Sequence, residues 1–258
     1  MNYIKSEFYR ISHTSGIYKL TGLLAALAFL YNVLTSWFLN NFEPGSFYTT
    51  TSFSYSNLVA HPMLYCIIAA VVAAVLYEGN VQNGNMKNTI AFGTPRTTIF
   101  IGKCVVSVIS SLFALLIILS VFIASTVIFM KKDGPVQLYH LLTEVPAVFF
   151  IAVAAMVSML MLMELFEKFS VGVILWCTVW FFVPKILLYV GMRFYIVYII
   201  AMLLPANFFS ADVMPVNTSE CITAWDTPIA MARCNIIGII EIVVFIIAGI
   251  LLLRKKEC

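Results

Sequence analysis

The sequence predicts an all-α integral membrane protein with six transmembrane helices and both termini inside. A short cytoplasmic helix is expected between the second and third spans, and a re-entrant hairpin before the sixth. Three observations carry this prediction. Of its 258 residues, 62% are hydrophobic and 10% charged, against about 45–50% and about 25% in soluble domains. Its mean hydropathy is +1.00. Apolar runs recur at the length of roughly 20 residues that a helix needs to cross about 30 Å of hydrocarbon. The net charge of +3 is small, so the positions of Lys and Arg carry more information than their sum.

Residues 1–19 place Ile4, Phe8 and Ile11 on one helical face and Lys5, Glu7 and Arg10 mostly elsewhere. That pattern fits an amphipathic helix on the inner membrane surface, with a frayed polar leader as the alternative. One membrane domain then fills residues 20–253. Its first span, near 20–39, is too long for a signal-peptide core and has no small-x-small cleavage pattern, so it is retained. The second span lies near 58–77, the third near 99–130 and the fourth near 145–165. The third exceeds the minimum and should tilt or project beyond the bilayer.

The stretch 171–204 is too long for one ordinary span and is interrupted by Pro184-Lys185 and Gly191-Met192-Arg193. Either 171–183 crosses and the rest dips back, giving six spans, or both halves cross, giving seven. Six spans put ten basic positions inside, among them Lys5, Lys87, Arg96, Lys103 and Lys168, and leave Lys131, Lys132, Lys185, Arg193 and Arg233 outside. Seven would expel the Arg254-Lys255-Lys256 tail, against the positive-inside tendency. Residues 184–204 therefore read as a re-entrant or interfacial hairpin, tolerable at membrane depth where protein covers its backbone. An extracellular loop, 205–234, precedes the last span near 236–253 and the cytoplasmic tail 254–258.

Residues 84–96 interrupt this apolar chain with amides, threonines, glycines and base. Asn85 suits a helix cap, Met86 to Phe92 make about two turns, Gly93 fits the position past the end, and Pro95 prevents continuation. So short a helix is unstable alone, because nucleation costs more than its few hydrogen bonds return. Met86 and Ile90, four apart, supply an apolar stripe for something to pack against.

Glu78, then Gly84-Asn85-Met86-Lys87-Asn88-Thr89, Gly93, Arg96-Thr97 and Gly102-Lys103, closely resemble the cytoplasmic coupling segment of ABC-2-type transporter permeases. Asn85 stands where Thr is usual and Pro95 where a small residue is usual; neither removes the cap, the stripe or the base. The resemblance implies a permease subunit of an ATP-binding-cassette exporter, dimeric with a second copy or a homologous permease. Its coupling helix would dock into cytoplasmic ABC ATPase subunits through Glu78, Asn85, Met86, Lys87, Ile90, Arg96 and Lys103. Glu78 and Lys103, at the ends of the second and third spans, are expected to pair with each other, meet the ATPase or stay solvated. Arg96 suits either the ATPase or lipid phosphate.

The chain itself has no engine. Gly102-Lys103 is not a phosphate-binding loop, since Thr97 and Cys104 occupy the positions that require Gly and Ser or Thr. Neither H-E-x-x-H nor G-x-S-x-G occurs, so no catalytic residue is expected and ATP hydrolysis falls to another subunit. His13, His61 and His140 are scattered, and no metal, cofactor or nucleic acid is expected. An ion-coupled secondary transporter is the alternative, favoured by an internal repeat and mid-membrane charge; no repeat is visible and only Glu241 qualifies as such a charge. A membrane-anchored enzyme is the third class, and its catalytic motifs are missing.

Glu241, Lys185 and Arg193 are gate or structural candidates: a polar constriction between the hairpin and the last span, or a salt bridge fixing the hairpin. The aromatic residues crowding that region, Trp176 and Trp180 among them, fit either a substrate path or an interfacial belt. Cys221 and Cys234 are a possible disulfide in the outer loop. Asn217-Thr218-Ser219 matches a glycosylation sequon, which a bacterial cytoplasmic-membrane protein would leave bare. Peptide antibiotics, hydrophobic drugs, lipids and glycan precursors all stay open as cargo, with peptide antibiotic or drug export or immunity in view.

Overall fold

The computed structural model describes residues 2–42, 45–82, 93, 95–212 and 222–255. The helices run in the order α1 (Asn2–His13), α2 (Ser15–Phe42), α3 (Thr51–Val59), α4 (Met63–Gln82), α5 (Arg96–Phe129), α6 (Leu138–Phe166), α7 (Phe169–Gly191), α8 (Tyr195–Leu203), α9 (Pro205–Asp212) and α10 (Pro228–Arg254). Five of them, α2, α5, α6, α7 and α10, are long and apolar enough to cross a bilayer, and α3 with α4 adds a sixth if that bent pair is one span. The all-α integral membrane class therefore stands.

The expected second span at 58–77 is corrected at its start. Leu58 and Val59 finish α3, and α4 begins at Met63 after a 66° bend. Pro62 lies at the break; it has no N–H to donate and disfavours helical backbone at His61. Hydropathy counts both sides of this corner alike.

The core is organised around α6. Its most apolar window is 67% buried inside the chain, against 17–22% for the other four long helices, because α10 and α4 both pack along it. Lipid tails are as apolar as the side chains, so close backbone approach and hydrogen bonds hold such helices together. Gly238 of α10 provides the approach: a Cβ there would lie 2.7 Å from the Ile151 amide of α6. On α4 the small residues Ala69, Ala70, Ala73 and Ala74 are buried.

Polar contacts join α2, α3 and α5. Buried Asn32 donates to Ser125 Oγ at 2.8 Å and Thr126 Oγ1 at 2.9 Å and accepts from Ser54 Oγ at 2.7 Å. Backbone bonds from Thr51 N to Lys131 O (2.8 Å) and from Lys131 N to Thr49 O (3.1 Å) fasten the same end. The amphipathic reading of residues 1–19 locates the right face of α1, and that face meets protein: Ile4, Phe8 and Ile11 pack with Val72 and Leu76 of α4 and Val106 of α5.

The division at Pro184 is also corrected. Helix α7 runs through Pro184 and Lys185 to Gly191, by way of a π turn at Thr178–Phe182 in which Val183 N donates to Thr178 O. The wider turn precedes the proline, which occupies the first turn of the segment that follows and so omits no essential donor. The chain reverses at Met192–Phe194, and α8 packs back on the end of α7. Gly191 permits this return, since a Cβ there would lie 2.6 Å from Tyr198 Cα. With nine residues, α8 is about 14 Å long, half the hydrocarbon thickness. Asn207 of α9 closes the hairpin by donating to Pro184 O at 2.8 Å and Ala201 O at 2.9 Å. The expected loop 205–234 is thus helical over α9 and again from Pro228, and the last helix begins earlier than residue 236.

Candidate functional site

At the ends of α4, α5 and α6 nearest residues 83–92, a charged cluster is packed into the protein. Lys103 of α5 is 5% exposed and ion-paired with Glu164 of α6, which is 1% exposed. The ammonium of Lys103 also lies 4.8 Å from the centre of the Tyr77 ring of α4, an arrangement that attracts a cation to the ring face. The Tyr77 hydroxyl donates to Met163 O of α6 at 2.8 Å. Nearer the helix ends, Arg96 at the start of α5 pairs with Glu167 at 2.9 Å; Glu167 ends α6 in left-handed backbone, φ 54°. Both flanks of residues 83–92 are therefore fastened to α6.

This placement revises two expectations about docking residues. Lys103 faces the interior, paired with Glu164, so its ammonium is withdrawn from the exposed surface. Arg96 is engaged by Glu167, on a half-exposed pair at the helix ends. Glu78 is partly buried near the end of α4. Asn85, Met86, Lys87 and Ile90 lie outside the described residues, as does most of the segment 84–96.

A second feature lies on the flank of the bundle. An open cleft of about 800 Å³ is bounded by α2, the α3–α4 corner, α5, Phe181 of α7, and α9. Its walls are mainly aliphatic and aromatic. The polar groups among its lining residues are mostly spoken for: Asn57 Nδ2 donates to Tyr31 Oη at 2.8 Å, and the His61 ring is bonded to Asn57 O at 2.8 Å. Tyr65 lines the same cleft, and its hydroxyl donates to Glu144 Oε2 of α6 at 3.3 Å. Glu144 is fully buried, and its other oxygen, Oε1, has no hydrogen-bond partner among the described residues. The fourth span was expected from residue 145, which left Glu144 just outside an apolar run; α6 in fact begins at Leu138 and carries it inward.

The proposed trio of Lys185, Arg193 and Glu241 is not brought together. Lys185 donates to Ser210 Oγ at 3.3 Å, Arg193 is exposed, and Glu241 keeps Oε2 buried without a hydrogen-bond partner among the described residues. Because α10 starts at Pro228, earlier than the expected 236, Glu241 lies about 20 Å along its axis. Among the described residues the hairpin is held by Asn207, and no salt bridge joins Lys185, Arg193 and Glu241. The aromatic residues divide as well. Trp176 and Trp180 are core residues, donating to Ser158 Oγ at 3.1 and 2.8 Å, whereas Tyr189, Phe194 and Tyr195 are exposed. Cys234 is buried, with Sγ 3.6 Å from Ala224 O; Cys221 lies outside the described residues, and so does the expected pairing. Of the histidines, His140 accepts from Gln137 N at 3.1 Å to cap α6, while His13 lies on α1 and His61 at the α3–α4 corner.

A family model described as an ABC-2 family transporter protein matches residues 3–185. That interval runs from α1 through the charged cluster and most of α7. No curated protein and no solved structure matches the chain.

Proposed function

Because the chain belongs to the ABC-2 family of transporter proteins, and is thus a multi-pass membrane permease of an ABC-type transporter, we propose that it is the export subunit of a complex driven by a separate cytoplasmic ATPase. In this reading the α3–α4 pair is one bent span, six spans place both termini in the cytoplasm, and residues 84–96 dock on the ATPase. The observation that carries it is the ion-paired base formed by Tyr77, Lys103, Met163 and Glu164. A push delivered between α4 and α5 is transmitted only if those helices move as a unit, and packed, hydrogen-bonded elements do so where a flexible loop would absorb the motion.

The chain itself supplies the membrane path and the receiver of the stroke. Closure of the ATPases on ATP moves residues 84–96; Lys103, held by Glu164 and Tyr77, passes that displacement to α6, against which α10 and α4 pack. The apolar cleft beside α4 changes shape as its α4 wall shifts, which is the step that would move a hydrophobic cargo. A second permease copy or a homologous one completes the assembly, and the bacterial cytoplasmic membrane is its proposed location. Peptide antibiotic or drug export, including immunity, fits a lateral apolar cleft.

Two measurements test this reading. ATP added to inverted membrane vesicles carrying the chain and its ATPase should drive hydrophobic cargo into the lumen; uptake driven by an ion gradient without ATP would favour a secondary transporter. For orientation, Cys258 in intact cells should resist an impermeant thiol reagent, and labelling there would overturn the six-span arrangement.

A further inference from the structure

The cleft has a base at its wall. Ser210 of α9 lines the cleft, and the Lys185 ammonium of α7 donates to its Oγ at 3.3 Å. The Ser210 hydroxyl gives its own proton to the carbonyl of Ala206 or Asn207, each at 2.9 Å. An ammonium has three N–H donors, so two remain beyond the one that Ser210 accepts. Among the described side chains Lys185 pairs with no carboxylate, and no Asp or Glu is among the residues lining the cleft. The backbone beneath the ammonium is fixed: Asn207, three residues before Ser210, donates to the carbonyl of Pro184, the residue before Lys185. In the six-span reading Lys185, Ser210 and the α3–α4 corner with Asn57 and His61 all lie on the outer side. From there the lining becomes apolar, reaching Val71, about 12 Å along α4 from Met63.

From this arrangement we infer that the cleft is a binding site for single-chain anionic amphiphiles, in which Lys185 takes the headgroup and the apolar walls hold the chain. The inference rests on the permease reading and names the substrate class of that same cleft. Its volume of about 800 Å³ falls within the range of about 300–1,000 Å³ that takes one small molecule, which suits one chain with its headgroup. A negative headgroup beside Ser210 meets the free ammonium protons in charge-assisted hydrogen bonds. A neutral amphiphile of equal length gains the same apolar contacts without the ion pair, and a cationic one is repelled by Lys185. Because Lys185 is exposed, water and salt screen its charge. The apolar walls therefore carry most of the affinity, and Lys185 carries the choice of sign.

The test is equilibrium binding of trace radiolabelled dodecyl sulfate, dodecanol and dodecyltrimethylammonium to the purified chain in phosphatidylcholine nanodiscs, with uptake by empty nanodiscs subtracted. The wild-type chain should prefer dodecyl sulfate over dodecanol by about threefold to fivefold, the factor one exposed ion pair supplies, and should bind dodecyltrimethylammonium least. Added salt should shrink the preference. Lys185→Gln should bring it to near unity while dodecanol binding is retained, Lys185→Glu should reverse the order of the two ions, and Lys185→Arg should keep the wild-type order. Leu64→Trp, a change at an exposed wall position, should weaken all three probes; unchanged binding in that variant would put the probes outside the cleft and overturn the inference. Displacement of dodecyl sulfate by phosphatidylglycerol would make a bilayer lipid the occupant and overturn the substrate assignment. Equal binding of the three probes by the wild type, or a preference unchanged in both Lys185→Gln and Lys185→Glu, would overturn it as well. Because no ATPase takes part, that failure would leave ATPase association and ATP-driven transport to be judged separately.

Discussion

Replacing Lys103 by alanine is expected to destabilise the folded chain by about 3–5 kcal/mol, the cost of leaving a buried charge without its partner. Glu164 is 1% exposed, so little water can replace the lost ammonium, and the cation over Tyr77 disappears as well. Glu164→Gln should act in the same direction by stranding Lys103. The pair is distinguished from its separate charges by a double replacement: Lys103→Met with Glu164→Met removes both ions together and should recover most of the stability. Thermal unfolding in a fixed detergent measures all four proteins. The double variant also separates strength from transmission, because an apolar contact can preserve packing while the ionic tie between α5 and α6 is absent; ATP-driven transport is then expected to remain below wild type. Equal unfolding temperatures for wild type and both single variants would remove the ion pair from the account.

The parts of this fold that were legible beforehand are those with a one-dimensional signature. Apolar runs located α2, α5 and α10, and the spacing of Ile4, Phe8 and Ile11 identified the buried face of α1. The chain turns back at Met192–Phe194, inside the interval read as a hairpin. What escaped depends on three-dimensional partners. Proline was read as a break at Pro184, yet the preceding π turn lets α7 continue, while at Pro62 the chain does bend. Lys103 was weighed against Glu78, its neighbour across the expected coupling segment, and its partner lies instead on α6 at Glu164. Glu144 carried no signal because it precedes the apolar run assigned to the fourth span; an earlier helix start carries it inward, where the Tyr65 hydroxyl donates to it. Asn207 was similarly one polar residue in an expected loop, although its amide joins both arms of the hairpin.

Ile90→Asp should have the largest effect on assembly. Read as one side of a docking helix, Met86 and Ile90 present an apolar stripe to the ATPase, and a carboxylate introduced there would be desolvated without a cation, a penalty of several kcal/mol and hence at least about a hundredfold in affinity. The spans should still insert, because position 90 is expected outside the hydrocarbon. Asn85→Ala is the measured contrast: losing one helix cap costs about 1 kcal/mol and should weaken coupling only modestly. Neither effect should resemble that of Lys103→Ala, which acts on the permease whether or not an ATPase is present.

The most direct measurement is co-purification of the ATPase with the permease from membranes, together with ATP hydrolysis by the isolated complex, for wild type and Ile90→Asp at matched membrane expression. Loss of the ATPase from Ile90→Asp, with the permease itself still inserted and folded, is the predicted result. Undiminished ATPase recovery and unchanged coupled hydrolysis would contradict the claim that residues 84–96 join this chain to its motor.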